Sequence, residues 1–434
     1  MLTTIKSKLY SFTAAACLLG AVSCKKDYQN PGAATSDQVF NSPKGMMGAA
    51  VGIQRTFTLN VTYGVSNCTG LITGETFLLN PGNLSEAQFF QGGVAVDNTN
   101  ALLGNIWSAA SKAIWDADNV IRASAQLADR GYAAGLVAYA SIIKANAIGV
   151  QSMYWQQVPD TIGISNAPFI DRVAGFNKAV AVADRALAGV AANPLTASFL
   201  ADMPAGLNIV NTLQALRARY ALFAGNYTVA LAAASAVDLS VRSTFNFDAA
   251  NANPTFTAVT STNNVYQPID STLGLPMAVR PALNDARVNF YTSINTAVAP
   301  RFRLSGFWVA ATTAIPVYVN DEMRLIRAEC LLRQSTPDVN GAKAIIDAIL
   351  QQTPAQDMNG VGANIAAGYT GTLDVPSLLT EVYRNRCIEL YHSGLKLEDM
   401  RRFGRPLTER KRNFFPYPFR ERDTNTNTPA DPAF

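Results

Sequence analysis

The chain carries one imidazole, His392, so any mechanism that needs two histidines is excluded. A Ser-His-Asp or Cys-His arrangement would have to be built around that single residue. Five cysteines (Cys17, Cys24, Cys68, Cys330 and Cys387) include no C-x-x-C and no close pair. A structural zinc site needs four nitrogen or sulfur ligands at tight spacing, so none is expected, and no glycine-rich phosphate loop follows a strand. The adjacent acids Asp321 and Glu322 read as the start of a helix, favourable at the positive end of its dipole. His392, at the end of a helical stretch, reads as a packing or capping residue. These residues imply no catalysis, no metal and no cofactor, and the expectation is a binding protein rather than an enzyme.

Aromatic residues set among amides are candidate binding surfaces, and they fit a sugar, the ligand class that the resemblance described below implies. Sugars present apolar C–H faces ringed by hydroxyls, and a site for them places rings against those faces with Asn, Gln, Asp or Arg at the edge. Trp308 with Phe307, Tyr266 beside Asn264 and Gln267, Phe89 and Phe90 between Gln88 and Gln91, and Tyr63 near Asn60 and Asn67 all have that composition. The expected ligand-binding set is Trp308, Tyr266, Phe89, Phe90, Tyr63 and Asn264, with Trp308 as the foremost platform. For each, a place in the core is the competing reading; Trp107, Trp115 and Tyr154, on helices, are read as core.

Helices must position these residues. Trp107, Ala110, Ile114, Ala117 and Ile121 mark one apolar face between about Leu103 and Leu127. Leu136 to Trp155 is a second helix, and Phe176, Val180, Ala183, Leu187 and Val190 mark a third, ended by Asn193-Pro194. From Ala218, small residues flank the turn at Gly225-Asn226, a pattern similar to a tetratricopeptide helix pair. Glu322 to Arg333 with Gly341 to Leu350 form another pair. A last helix runs from about Ser377 to His392 and closes at Gly394. Between these, Leu59 to Asn100 and Ser240 to Ile315 lose helical periodicity and gain Asn, Thr, Ser and Pro. Long irregular stretches inside a domain are usually functional. The expected fold is mainly α: tetratricopeptide-like helix pairs as a scaffold, with loop-rich insertions at about 59–100 and 240–315 carrying the ligand surface.

Composition agrees. Of 434 residues, 49% are hydrophobic and only 15% charged, against a usual ~25%. A formal charge of +4 is too small to make nucleic acid the main partner. From Glu381 to Arg422 there are eleven Lys/Arg and six Asp/Glu. The interspersed acids and helical period favour paired charges on packed helices over a patch for an anionic ligand or lipid headgroup.

The amino terminus reads as an address. Lys6 and Lys8 precede an apolar run from Ala14 to Val22, far short of the ~20 residues that span a bilayer. Leu18 to Cys24 resembles the lipobox of bacterial lipoproteins, with Ala21 where leucine is usual. The resemblance implies a signal peptide over 1–23, lipidation at Cys24, a tether over 24–37 and one body over 38–434. Two or three acyl chains make a durable anchor. Lys25-Lys26-Asp27 resembles the charged signal that sends Bacteroidetes lipoproteins to the cell surface.

Arg386-Cys387-Ile388-Glu389-Leu390, then Gly394, then Asp399-Met400-Arg401-Arg402-Phe403-Gly404 resemble the signature of the SusD/RagB nutrient-binding lipoproteins. Phe415-Pro416-Tyr417-Pro418 resembles that family's closing segment, and the pair Glu322–Cys330 and Ala342–Leu350 resembles its helical core. The resemblance covers nearly the whole mature chain. It implies a lid-like surface lipoprotein of the outer membrane that captures an oligosaccharide, or a peptide as in some RagB relatives, and delivers it to a SusC-like TonB-dependent transporter. A helical-repeat scaffold binding only proteins is the other reading. Ser393 and Lys396 stand where the family usually has glutamate and arginine, which implies a rewired local charge network.

Overall fold

The computed structural model describes residues 39–260, 264–297 and 299–434; the leader, Cys24 and the tether lie outside them. The first helices are α1 (Pro43–Thr56), a π-helical segment Phe57–Thr62, α2 (Tyr63–Ile72), α3 (Leu84–Gln91), α4 (Ala101–Ser124) and α5 (Arg130–Tyr154). After them come α6 (Arg172–Ala192), α7 (Ala197–Asp202), α8 (Ile209–Phe223), α9 (Tyr227–Ser235), α10 (Pro254–Thr260) and α11 (Ala286–Tyr291). The last are α12 (Asn320–Leu332), α13 (Val339–Gln351), α14 (Val375–Glu389), α15 (Lys396–Arg402) and α16 (Phe419–Thr424).

Short polar side chains start the scaffold helices. Asp129, Asp171, Asn208, Asn226, Asp338 and Asp374 each accept a hydrogen bond from a backbone N–H of the first turn. Each such cap stabilises its helix by about 1 kcal/mol. The helices then pack in succession, α4 on α5, α5 on α6, α6 on α8, α8 on α9, α9 on α12 and α12 on α13. That is the expected tetratricopeptide-like array, and the fold is mainly helical. Helix α5 is long and apolar enough to cross a membrane, yet its apolar stretch is 89% buried inside the protein. It is the central core helix, and glycine brings its neighbours close: a Cβ on Gly149 would stand inside the Tyr220 ring.

The two segments expected to be irregular differ from each other. Leu59 to Ile72 is helical, and only the stretch from Thr73 to Asn100 alternates short helix with turns. Helix α2 is enclosed on nearly every side, with Asn67, Thr69 and Cys68 all buried, so it lacks the polar face on which periodicity depends. From Ser240 to Ile315 the chain is loop-rich as expected, stitched by two-residue to three-residue antiparallel ladders. β4 (Thr244–Phe245) pairs with β8 (Ile315–Pro316), and β6 (Thr292–Ile294) with β7 (Phe302–Leu304). β1 (Phe77–Leu78) pairs with β5 (Tyr266–Gln267), which joins the two segments directly, and β2 (Gln157–Pro159) pairs with β3 (Phe169–Asp171) between α5 and α6.

The charge-rich carboxy-terminal run folds inward. Arg386 pairs with Asp399 at 2.9 Å, Asp399 with Arg402 at 2.7 Å, Arg402 with Glu329, and Glu329 with Arg333 at 2.8 Å. Arg287, fully enclosed, bonds Asp285, Asn385 at 2.9 Å and Glu389 at 2.8 Å. Arg219 forks onto both oxygens of Glu322 at 2.6 Å. Arg386, Glu389, Asp399, Arg401 and Arg402 are therefore paired charges on packed helices, while Lys396, Lys411 and Arg412 donate to backbone carbonyls instead. Lys396 is buried and donates to Thr73 O at 3.2 Å and Gly274 O at 3.4 Å; Ser393 Oγ accepts from Leu395 N at 3.3 Å. Glu75, from a distant loop, supplies the acid near Lys396 and accepts from the His392 backbone at 3.0 Å.

Helix α14 stops at Glu389, short of the expected His392. The left-handed residues that follow are His392 (φ 56°) and Gly394 (φ 88°), so the turn is wider than one glycine would make.

Candidate functional site

The loop-rich face opens in a groove of about 540 Å³ between the β4–β8 ladder and the end of α11. Two half-buried rings, Phe290 and Phe307, line it at a centroid distance of 5.1 Å, edge to face. Polar side chains surround them: Arg242, Thr244, Asn246 and Asn359. Arg242 is exposed, and among the described residues no carboxylate pairs with it. Asn246 is held by Ala205 O at 2.9 Å and by the Thr244 hydroxyl at 2.8 Å. The Nδ2 of Asn359 is buried with no protein partner. Gly306 lies beneath, at φ 67°, where a Cβ would meet Phe290 at 2.6 Å. Only glycine lets the Phe290 ring lie there.

Phe307 and Pro316 also line a second space, an inner chamber of about 110 Å³. A relay of rings runs from the groove into it. Phe307 is 6.2 Å from Tyr291, Tyr291 is stacked 5.9 Å from Trp308, and Trp308 is 5.1 Å from the His392 ring. Residues lining the chamber carry polar atoms without protein partners: both ring nitrogens of His392, Asn146 Nδ2 and Glu389 Oε2. Burial holds the His392 imidazole neutral, its pKa pushed down to about 3.

The expected ligand-binding residues fall into three environments. Trp308 is 4% exposed and forms the chamber wall, not an open platform. Tyr266 and Phe89 are fully enclosed, Tyr266 beside His392 at 5.4 Å and Phe89 against Phe415 at 5.1 Å. Tyr266 sits on a two-residue strand buried on both sides, with Gln267 1% exposed, so no alternation marks its place; Phe89 faces the core from α3, whose end residues Leu84 and Gln91 are exposed. Phe90, half-buried, has the Lys411 ammonium 3.6 Å above its ring and Phe77 at its edge, so its near face is covered. Burial lowers the Lys411 pKa to about 8. Tyr63 is half-buried with its hydroxyl accepting from Asn67 at 3.3 Å, and Asn264, at φ 39°, accepts from Gln267 at 2.7 Å. These six do not converge on one surface, although Trp308 and Phe307 are chain neighbours. The 3₁₀ turn Gly306–Trp308 rotates successive side chains by about 120°, sending Phe307 to the groove and Trp308 to the chamber.

Arg242, Asn246, Phe290 and Asn359 escaped the sequence reading as a site. The usable signal was present for Phe290 and Asn246, which lie in the irregular segment with aromatics and amides. Asn359 comes from the α13–α14 connection, and nothing in its neighbours marks it. Trp115, expected in the core, is 42% exposed and lies over Gly163. Cys330 and Cys387 are buried thiols, as expected, with pKa values pushed up to about 12 by desolvation; Cys68 is buried as well. Among the described residues no group of three or more His, Cys, Asp or Glu is placed to hold a metal ion.

No protein-family model matches the sequence, and no curated protein is significantly similar to it. Solved structures are similar in fold. A SusD homolog from Bacteroides thetaiotaomicron superposes with a TM-score of 0.72 at 12% identity, over 92% of this chain and 99% of that one. A SusD-like carbohydrate binding protein from Bacteroides fragilis gives 0.65 at 14% identity, over 84% and 87%. B. fragilis NanU gives 0.68 at 10% identity, over 93% and 99%. The order of helix pairs, the loop-rich face set on them and this near-complete overlap together establish that the chain has the fold of the SusD superfamily.

Proposed function

We propose that this chain is a nutrient-binding protein of the SusD type, that its ligand is an oligosaccharide, and that the ligand lies in the groove between Phe290, Phe307 and Arg242. The groove itself is the observation that carries the reading. Two rings stand at its wall with a guanidinium and two amides at its rim, the composition that meets C–H faces and hydroxyls together. Similarity in fold to a carbohydrate binding protein supports the class of ligand. Lipidation at Cys24 would hold the protein on the outer membrane facing the exterior, and the lid mechanism would hand the ligand to a SusC-like TonB-dependent transporter. No reacting pair of carboxylates is part of this reading, and the protein is a carrier, not an enzyme.

Isothermal titration of the protein from residue 25 onward against a panel of oligosaccharides and short peptides tests it. Saturable binding to a sugar, weakened about tenfold or more by Phe307→Ala, is the expected result. Binding to peptides alone would replace the sugar with a RagB-type ligand in the same groove. Sugar binding untouched by Phe307→Ala and Arg242→Ala would remove the groove from the account.

A further inference from the structure

Asn246 lines the groove and also a second depression, of about 250 Å³, set between the end of α1 and the loop after β4. One pair of chain segments carries both spaces. Gly206 and Thr244 line the groove, while Pro204, Ala205, Phe247 and Asp248 line the second depression. The two segments are bonded to each other: Thr244 N donates to Gly206 O at 2.8 Å and Asn246 Nδ2 to Ala205 O at 2.9 Å. Asn246 is therefore the shared divide between two spaces that follow one another along the same segments.

The second depression repeats the composition of the groove. Phe247 is half-buried at its wall, and Gln54 and Asn251 bring amides. Gln54 is only 8% exposed, and its Oε1 accepts from the Tyr139 hydroxyl at 2.7 Å, which fixes the amide. Its Nε2 has no partner among the described residues, and it is not sealed as the unpartnered donors of the core are. A nearly buried donor without an acceptor costs about 1–3 kcal/mol unless water or a ligand oxygen accepts from it. Arg55 and Asp248 stand at the rim 3.4 Å apart, each side chain more than half exposed, so both remain open to hydroxyls. The α1 side of the wall is the start of the π-helical segment, through Thr58 and Leu59. Such segments are rare and are frequent at functional sites.

We infer that the second depression is a further subsite of the groove, and that the ligand is an extended oligosaccharide whose chain crosses Asn246 with units on both sides. A short sugar fills the groove alone and leaves Phe247 and the Gln54 amide uncovered. The bonds between the two segments hold the subsites at a set spacing before the ligand arrives, which lowers the ordering cost of binding. The inference rests on the reading of the groove as a sugar site and adds the length and course of the chain it takes.

Cello-, xylo- and malto-oligosaccharides, each in a series from disaccharide to hexasaccharide, test it by calorimetric titration into the protein from residue 25 onward. Affinity is expected to rise with length in the series that binds. Phe247→Ala removes the ring of the second depression, and Gln54→Glu keeps the acceptor for Tyr139 while replacing the free donor. Each is expected to weaken the longest sugar at least about tenfold and leave the shortest bound member unchanged, whereas Phe307→Ala weakens both. Phe247 lies half-buried in a loop, so Phe247→Ala carries the test alone if Gln54→Glu does not fold. Affinity that stays flat with length, or a longest sugar indifferent to Phe247→Ala, would overturn the second subsite and leave the groove in place. Equal weakening at every length would overturn it too, since the depression would then only shape the groove. No binding by any series would remove the sugar reading of the groove and this inference together.

Discussion

His392 is the only imidazole in the chain, and the fold keeps it neutral where both of its ring nitrogens lack protein partners. Its pKa falls from the usual 6.5 to about 3 because burial penalises the charged form. Above pH 6.5 the folded and unfolded chains are both neutral there, so the full stability is present. As pH falls from 6.5 toward 3 the unfolded chain binds a proton that the folded chain refuses, and stability is lost through that window. Glu75 acts in the other direction, since burial raises its carboxyl above 4.5 and its cost grows as pH rises past that value. In ¹⁵N-histidine NMR of the untagged protein, the single imidazole should remain neutral down to about pH 3; titration near 6.5 would show that it reaches water. Arg219 and Glu322 are a second test at this scale. Breaking the enclosed pair with Arg219→Met should cost about 3–5 kcal/mol in urea denaturation, while Arg219→Met with Glu322→Leu should recover most of it. Single residues were the least legible part of the sequence. Trp308, Tyr266 and Phe89 have the right type for a sugar platform, but which way a ring points depends on turn geometry and on partners far along the chain. The pairing of the charge-rich run was legible, because acids and bases alternate at helical spacing.

Helices were legible wherever one face meets solvent. The faces of α4, α6 and α13 repeat at 3.6-residue spacing because their other sides are wet, and Asp or Asn stands at their starts. Helix α2 was not legible, since enclosure on all sides removes the polar half of the pattern, and Gly64 and Gly70 further dilute its helical propensity. Close packing of α5 yields a paired prediction. Gly149 abuts the Tyr220 ring, so Gly149→Ala forces a ring or helix to shift and should destabilise by about 1–3 kcal/mol. Gly189, in α6, has open space where a Cβ would go, and Gly189→Ala should stabilise by about 0.5–1 kcal/mol through helix propensity. Thermal melts of the two variants read both signs. Equal effects would mean that α5 and α8 are not packed as described.

At the scale of the molecule, a rigid helical array with paired internal charges carries one loop-rich face, and the groove opens in that face. The array was legible from its helix pairs and from the Arg386 to Gly404 run. The groove was not, because it gathers Arg242 and Asn246 from the segment around β4, Phe290 from α11, Phe307 from the Gly306–Trp308 turn, and Asn359 from the connection between α13 and α14. Long-range assembly of that kind leaves no local pattern. It also means that the rigid array, through several elements at once, sets the spacing of the rings. The most direct measurement is a crystal structure of the protein with whichever oligosaccharide binds it in titration. The sugar is predicted to lie against Phe290 and Phe307 with hydroxyls bonded to Arg242 and Asn359. Sugar density on any other surface, with the groove filled by water alone, would contradict the account.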